Sequence, residues 1–371
     1  MTIRRHQKST IKDVAERAKV SATTVSMFAS GRENVCSPDT AERIREAITH
    51  LRYTPNSLSR SLRTRSTQTI GISISRPQRA NDARYSYVDR LWAGIDTATD
   101  EAGYLQLCYP ASMRYGTSLD PFLDGRIDGL LFATSLNDYR VREIADTGMP
   151  IVLVGRGLEI PEGCGAVYAD EQDTMNLGLT HLWELGHRRI AHIAGPCVDI
   201  QATAPFGGIR SAIALQRRAA FVDWMTAHGA FDPALVAATA RWERDESRDA
   251  VRSIVEQWLS TADPPTAIFS ANDAHALTAI ETIQSHGLDV PHDISVLGVD
   301  NQIQAMLAQP ALTTIAVPAE AIGERSVRIL LMMISGASPN ECHEIIPVTE
   351  LIVRGTTAAA KPVPQPVFAS V

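Results

Sequence analysis

Thr23 carries a hydroxyl and a methyl on one carbon, so it can exchange a hydrogen bond with a base edge or touch a thymine methyl; Ala22 beside it offers apolar contact alone. Both fall in an expected helix over 22–29, in which Val25 and Phe28 face inward while Ala22, Thr23, Ser26 and Met27 face out. Met27 either reads a base or packs at the edge of the fold. Ser21, Thr24, Ser26, Ser30 and Arg32 suit phosphate oxygens, contacts that position a protein on a duplex without specifying sequence.

Two further helices must hold that one in place. Thr10 caps a first helix whose Asp13 lies three residues on, and Val14 and Ala18 share one face of it; Thr10 is also counted among the candidate DNA contacts. Ala18-Lys19-Val20 makes the turn into the second helix, capped by Ser21, which is helix-turn-helix geometry. A third helix starts at Ser37-Pro38, with Ser as N-cap and Pro at the first helical position, and is expected to bury Ile44, Ala47, Ile48 and Leu51.

Charge is segregated in the same way. Residues 1–66 hold 13 Lys and Arg against 6 Asp and Glu, so a head of +7 is joined to a remainder of −14 in a chain of net charge −7. A polyanion is attracted to the head and repelled by the rest.

The motifs T-I-K-D-V-A, V-S-x-T-T-V-S, S-P-x-T-x-x-R-I and Y-x-P-N-x-x-x-R-S-L together resemble the N-terminus of the LacI/GalR family of bacterial transcriptional regulators. The resemblance continues through R-I-D-G-L-L at 126–131, H-L-W-E-L-G-H-R-R-I-A-H-I-A-G-P at 181–196, A-N-D-A-x-A-L at 271–277 and D-I-S-V-L-G-V-D at 293–300. It implies an N-terminal all-α helix-turn-helix head plus an α/β two-lobed periplasmic-binding-protein-like body. The implied boundaries are a head over 1–54, a hinge helix and linker over 55–66, an effector-binding and dimerisation body over 67–358, and a Pro-rich tail over 359–371. It also implies a homodimer on a pseudo-palindromic double-stranded DNA operator, most simply a repressor, with a small-molecule effector of sugar or sugar-derived type in the interlobe cleft. A nucleobase or other metabolite as effector is the alternative, and a binding protein without DNA function a more distant one.

The hinge stretch 55–63 is too short and polar to hold a helix alone in water. By resemblance, two such hinge helices of a dimer enter the minor groove with Leu62 wedged into a base step, and Asn56, Ser59 and Arg63 are further candidate DNA contacts; the alternative is Leu62 packed on the body as a linker residue. Relatives carry Ala where this chain has Ser59, and Arg or His where it has Met27. In the body, Arg217 matches a family Arg that binds effector hydroxyls or carboxylates, and Asp300 an acidic ligand residue at a strand end. An Arg and an Asp together suit a polyhydroxylated ligand, one supplying donors and the other acceptors. Asn272 has a mixed ligand and structural role, Asp273 is read as a helix cap, and Ser75, Tyr87 and Trp242 are further cleft candidates, although an aromatic at such a place also serves as core.

From Thr69 onward, short apolar runs alternate with amphipathic segments, the pattern of parallel sheets covered on both faces. Strands are expected at 69–75, 104–109, 129–134, 150–155, 189–195, 267–271 and 294–299, and helices near 87–102, 138–147, 173–186, 213–229, 246–261, 274–286 and 319–335. Crossings between lobes are expected near 156–170, 290–300 and 311–318 by analogy with the family. The longest apolar run, 329–334, is far below the roughly 18 residues of a membrane helix. MTIRRHQKST has no signal-peptide core, which predicts a cytoplasmic protein without membrane partners. Five scattered cysteines read as reduced thiols, and no cofactor or metal is expected. No G-x-S-x-G, H-E-x-x-H, P-loop or post-strand G-x-G-x-x-G occurs, and the spacing of His181, His187 and His192 puts no pair on one helix face, so no enzyme is expected. The tail lacks leucine heptads, which favours a dimer over a tetramer.

Overall fold

The computed structural model describes residues 9–29, 36–54, 66–74, 87–110, 118–133, 139–155, 160–197, 211–242 and 244–361. The chain divides into two compact units, Met1–Thr67 and Gln68–Val371.

The first unit contains α1 (Ile11–Ala18), α2 (Ala22–Ala29) and α3 (Pro38–Leu51). Thr10 and Asp13 form a capping box on α1, and Lys19 ends it in the left-handed conformation at φ 55°. Ser37 caps α3 through the Thr40 amide, with Pro38 in the first turn. Val14, Ala18, Val25, Phe28, Ala41, Ile44 and Ala47 make the small core. Ile48 and Leu51, expected inside, are only partly buried, and Ala41 takes a place in the core instead.

The second unit has two sheets. In the first lobe, β1 (Thr69–Ser73), β2 (Leu105–Cys108), β3 (Gly129–Phe132), β4 (Ile151–Val154), β5 (Gly165–Ala169) and β11 (His343–Ile346) are ordered β11-β5-β4-β3-β1-β2. In the second, β6 (Ile190–Pro196), β7 (Val236–Thr239), β8 (Ala267–Ser270), β9 (Ser295–Val299), β10 (Thr313–Ala316) and β12 (Glu350–Ile352) are ordered β12-β10-β9-β8-β6-β7. Pairing is parallel except between β10 and β12. The helices are α4 (Tyr87–Glu101), α5 (Asp120–Leu123), α6 (Tyr139–Asp146), α7 (Glu171–Glu184), α8 (Ala212–Ala227), α9 (Arg244–Leu259), α10 (Asp273–Ser285), α11 (Ile303–Leu307) and α12 (Ala319–Ile334). Among the described residues no helix is long and apolar enough to cross a membrane.

Each of the seven expected strands and seven expected helices is present within a few residues of its expected range. β5, β7, β10, β11 and β12 escaped sequence reasoning. The segment 156–170, expected only to cross between lobes, contains β5. The expected crossing at 290–300 does not exist, because β9 pairs on both sides with strands of its own lobe. The crossings follow β5, follow β10 and separate β11 from β12.

One buried apolar cluster runs from β1 and α4 through α12 and α7 to β8 and β9, so the lobes share a continuous core. α4 and α12 meet at glycines: a Cβ on Gly94 would strike the Glu320 carbonyl, and one on Gly323 the Leu91 carbonyl. That close crossing fixes α4, which carries Tyr87 and Arg90 in its first turn.

Candidate DNA-reading helix and interlobe cleft

The outward side of α2 is as the sequence implies. Val25 and Phe28 are buried, Thr23 is exposed, and Ala22, Ser26 and Met27 are partly exposed. Ser21 is engaged locally: its hydroxyl accepts from the Thr24 amide at 3.0 Å and lies 2.8 Å from the Thr24 hydroxyl. Thr10 is likewise tied to Asp13, donating to its carboxylate at 2.9 Å while its backbone amide donates at 2.7 Å. These bonds hold the Asp13 carboxyl below the usual range. Ser30, Arg32, Asn56, Ser59, Leu62, Arg63 and Ser75 lie outside the described residues.

In the body, the carboxyl ends of β8 and β9 and the starts of α4, α7 and α8 converge. Arg217, on α8, is 4% exposed; its Nε donates to Glu171 Oε2 at 2.6 Å and its Nη1 to the Ala271 carbonyl just beyond β8. Glu171, 7% exposed, occupies the first turn of α7, where the helix dipole favours a carboxylate. Asp300 follows β9, is 8% exposed and adopts φ 106°, a conformation that strains a side-chain-bearing residue. The next residue, Asn301, is also left-handed; Arg354 donates to its side-chain oxygen at 2.7 Å and its amide donates to Thr314 at 3.3 Å. From the opposite lobe, Arg90 of α4 donates to the Asp300 carbonyl.

Electrostatics place Tyr87 in the same group. Burial, then the negative charges of Glu171 and Asp300, push its hydroxyl above the ordinary range, against Arg217 and Arg90. Burial raises the Asp300 carboxyl to about 6, although Arg217 and Arg90 pull it down. Burial opposes the charge on Arg217, yet Glu171 and Asp300 outweigh it and raise its pKa. Tyr87, Arg217 and Asp300 were expected here, and they come together. Arg90 and Glu171 were missed. Arg90 stands one helical turn after Tyr87, a readable signal. Glu171 follows a strand that alternation did not disclose.

The remaining expected residues sit close by with structural partners. Asn272 is the N-cap of α10: its oxygen accepts from the His275 amide at 2.9 Å and its nitrogen donates to the Trp242 carbonyl at 3.0 Å. The capping role expected of Asp273 thus belongs to its neighbour. Asp273 is fully buried and accepts from the Gln302 amide at 2.7 Å and the Thr314 hydroxyl at 2.5 Å. Trp242 is partly buried, stacks near His275 at 6.2 Å between ring centres, and lies so close over Gly195 that a Cβ there would collide with its ring. His187 and His192 are buried; His187 contacts Thr266 and Ser295, and His192 stacks on Phe221.

Residues 10–56 match a model described as bacterial regulatory proteins, lacI family, and residues 179–357 one described as a periplasmic binding protein-like domain. The HTH-type transcriptional regulator CelR of Thermobifida fusca is 30% identical over 94% of this chain and 98% of its own length. A solved transcriptional regulator CelR–cellobiose complex superposes at a TM-score of 0.66 with 27% identity, covering 94% of this chain and 99% of the other. A lac repressor dimer bound to operator and the anti-inducer ONPF reaches a TM-score of 0.78 with 26% identity, covering 95% of this chain and 100% of the other.

Proposed function

As a member of the lacI family of bacterial regulatory proteins this chain is a DNA-binding transcriptional regulator, and we propose that it is a repressor whose operator affinity is set by a small molecule in the interlobe cleft. The observation that carries the effector site is the convergence of Arg90, Glu171, Arg217 and Asp300, with Arg90 reaching from one lobe to the Asp300 carbonyl of the other. A ligand placed there contacts both lobes, and it shifts their equilibrium only by its differential affinity for the two arrangements. Alternating donors and acceptors suit a polyhydroxylated molecule of sugar or sugar-derived type; the CelR–cellobiose complex is a structural relative with such a ligand.

The protein binds its operator as a homodimer in the cytoplasm and performs no catalysis. α2 enters the major groove with Thr23 and Ala22 at base edges, and Ser21, Thr24, Ser26, Ser30 and Arg32 serve the phosphates. Leu62 serves as the minor-groove wedge, and Asn56, Ser59 and Arg63 as further DNA contacts of the hinge. An operator titration at two salt concentrations, with and without ligands chosen from a thermal-shift screen of sugars, polyols and nucleosides, tests the whole reading. The expected result is a steep salt dependence and a ligand that changes operator affinity by roughly 5- to 150-fold. Leu62→Ala should lose specific binding by about an order of magnitude while random-sequence binding holds. Equal losses on both DNAs would remove Leu62 from the operator interface.

A further inference from the structure

The charges of the cleft are balanced: Arg90 and Arg217 against Glu171 and Asp300. Two donor positions of the Arg217 guanidinium are already committed, Nε to the Glu171 carboxylate at 2.6 Å and Nη1 to the Ala271 carbonyl. A phosphate or carboxylate on a ligand binds an arginine best through two parallel N–H bonds. To do so here it must approach a carboxylate that is itself buried, or displace that carboxylate and leave it buried without a partner, which is costly. Glu171 is the first residue of α7, and its side chain is buried against Arg217, so swinging away would leave both charges without their partner. A neutral hydroxyl meets no such penalty. It can accept from the remaining guanidinium N–H groups and donate to Glu171 or Asp300.

We propose that Glu171 is a specificity residue: by occupying Arg217 it restricts the cleft to ligands without an ionised phosphate or carboxylate. This inference rests on the effector site proposed above and adds the exclusion that site applies. It is a repulsive device, discriminating by the unpaired charge that a wrong ligand creates.

Inorganic phosphate is the probe, because it needs no knowledge of the natural effector. Thermal melts of the full-length protein are followed as phosphate rises at ionic strength held constant with chloride, for wild type, Glu171→Gln, and the double variant Glu171→Gln with Arg217→Ala. A rise in melting temperature common to all three belongs to the basic head. The double variant removes both members of the ion pair and so leaves no buried charge uncompensated there. Glu171→Gln should gain an additional, saturable rise, tighter than any in wild type by at least about tenfold, as one pKa-scale interaction unit represents. Should Glu171→Gln be unfolded without phosphate, saturable recovery by phosphate supports the proposal and absence of recovery overturns it. A folded Glu171→Gln with no gain overturns it too, as does a wild-type rise that exceeds that of the double variant. No DNA is present in these melts, so failure here leaves the operator titration standing, and the reverse.

Discussion

In the head, Thr23 is exposed on a helix of eight residues whose cap, Ser21, lies two positions away. In the body, Arg217 and Asp300 are nearly sealed from solvent, and their partners come from α4, α7 and the end of β8. The difference fits what each region is proposed to recognise. A duplex presents its base edges and phosphates to any side chain that protrudes, so a reader there need not be buried in the free protein. A small ligand of the kind proposed offers few contacts, and the charges buried to meet it must each be paired to offset the cost of leaving water. The readers proposed for the head should therefore be cheap to change, whereas the residues proposed for the cleft also hold their fold together.

The largest expected effect tests that second statement. Arg217→Ala leaves the Glu171 carboxylate buried without its ion pair and should destabilise the body by about 3–5 kcal/mol in urea unfolding. Adding Glu171→Gln should recover much of the loss. A single variant as stable as wild type would show that the pair carries no stability and that the contrast with the head is false. Within the head, Ile44→Ala should cost about 2–4 kcal/mol by opening a cavity in its small core, leaving the unfolding transition of the body in place. A shift of both transitions together would mean the two units do not melt independently.

A smaller effect comes from Asp300. Its carboxyl titrates near 6 in the folded body and near the ordinary 3.8 when unfolded, because burial disfavours the charge. Between those values the folded state keeps a proton that the unfolded chain gives up. This group therefore contributes stability that is fully present below 3.8 and lost as pH rises through about 6. A ligand whose hydroxyls donate to the carboxylate responds in the opposite direction, needing the ionised form. Effector affinity should fall below pH 6, approaching tenfold per pH unit once the proton is on, and Asp300→Asn should flatten the profile. A wild-type profile that is flat from pH 7 to about 5 would place Asp300 outside the ligand shell. The smallest effect should be Thr23→Ala: head stability within about 0.5 kcal/mol, with discrimination at one symmetric pair of operator positions reduced by about 1 kcal/mol. Selection on randomised operators measures it, and an unchanged preferred site would remove Thr23 from the readers.

What the sequence by itself determined is what depends on neighbours along the chain. The capping box at Thr10 and Asp13, the Ser37-Pro38 start and the inward spacing of Val25 and Phe28 are local, and they identify the head because helix caps and faces are set within four residues. Short apolar runs such as 150–155 and 294–299 announced central strands. The strands of His343–Ile346 and Glu350–Ile352 were silent because edge strands alternate with polar residues and need no apolar run. The strand order was equally silent: a parallel sheet takes its order from packing between distant segments, and so the crossing expected at 290–300 was misplaced. The cleft belongs to that second kind of information. Arg217 and Asp300 could be matched to motifs, but that Glu171 neutralises one and Arg90 holds the carbonyl of the other was decided only when the sheets brought separate chain segments together in two hydrogen-bonded pairs.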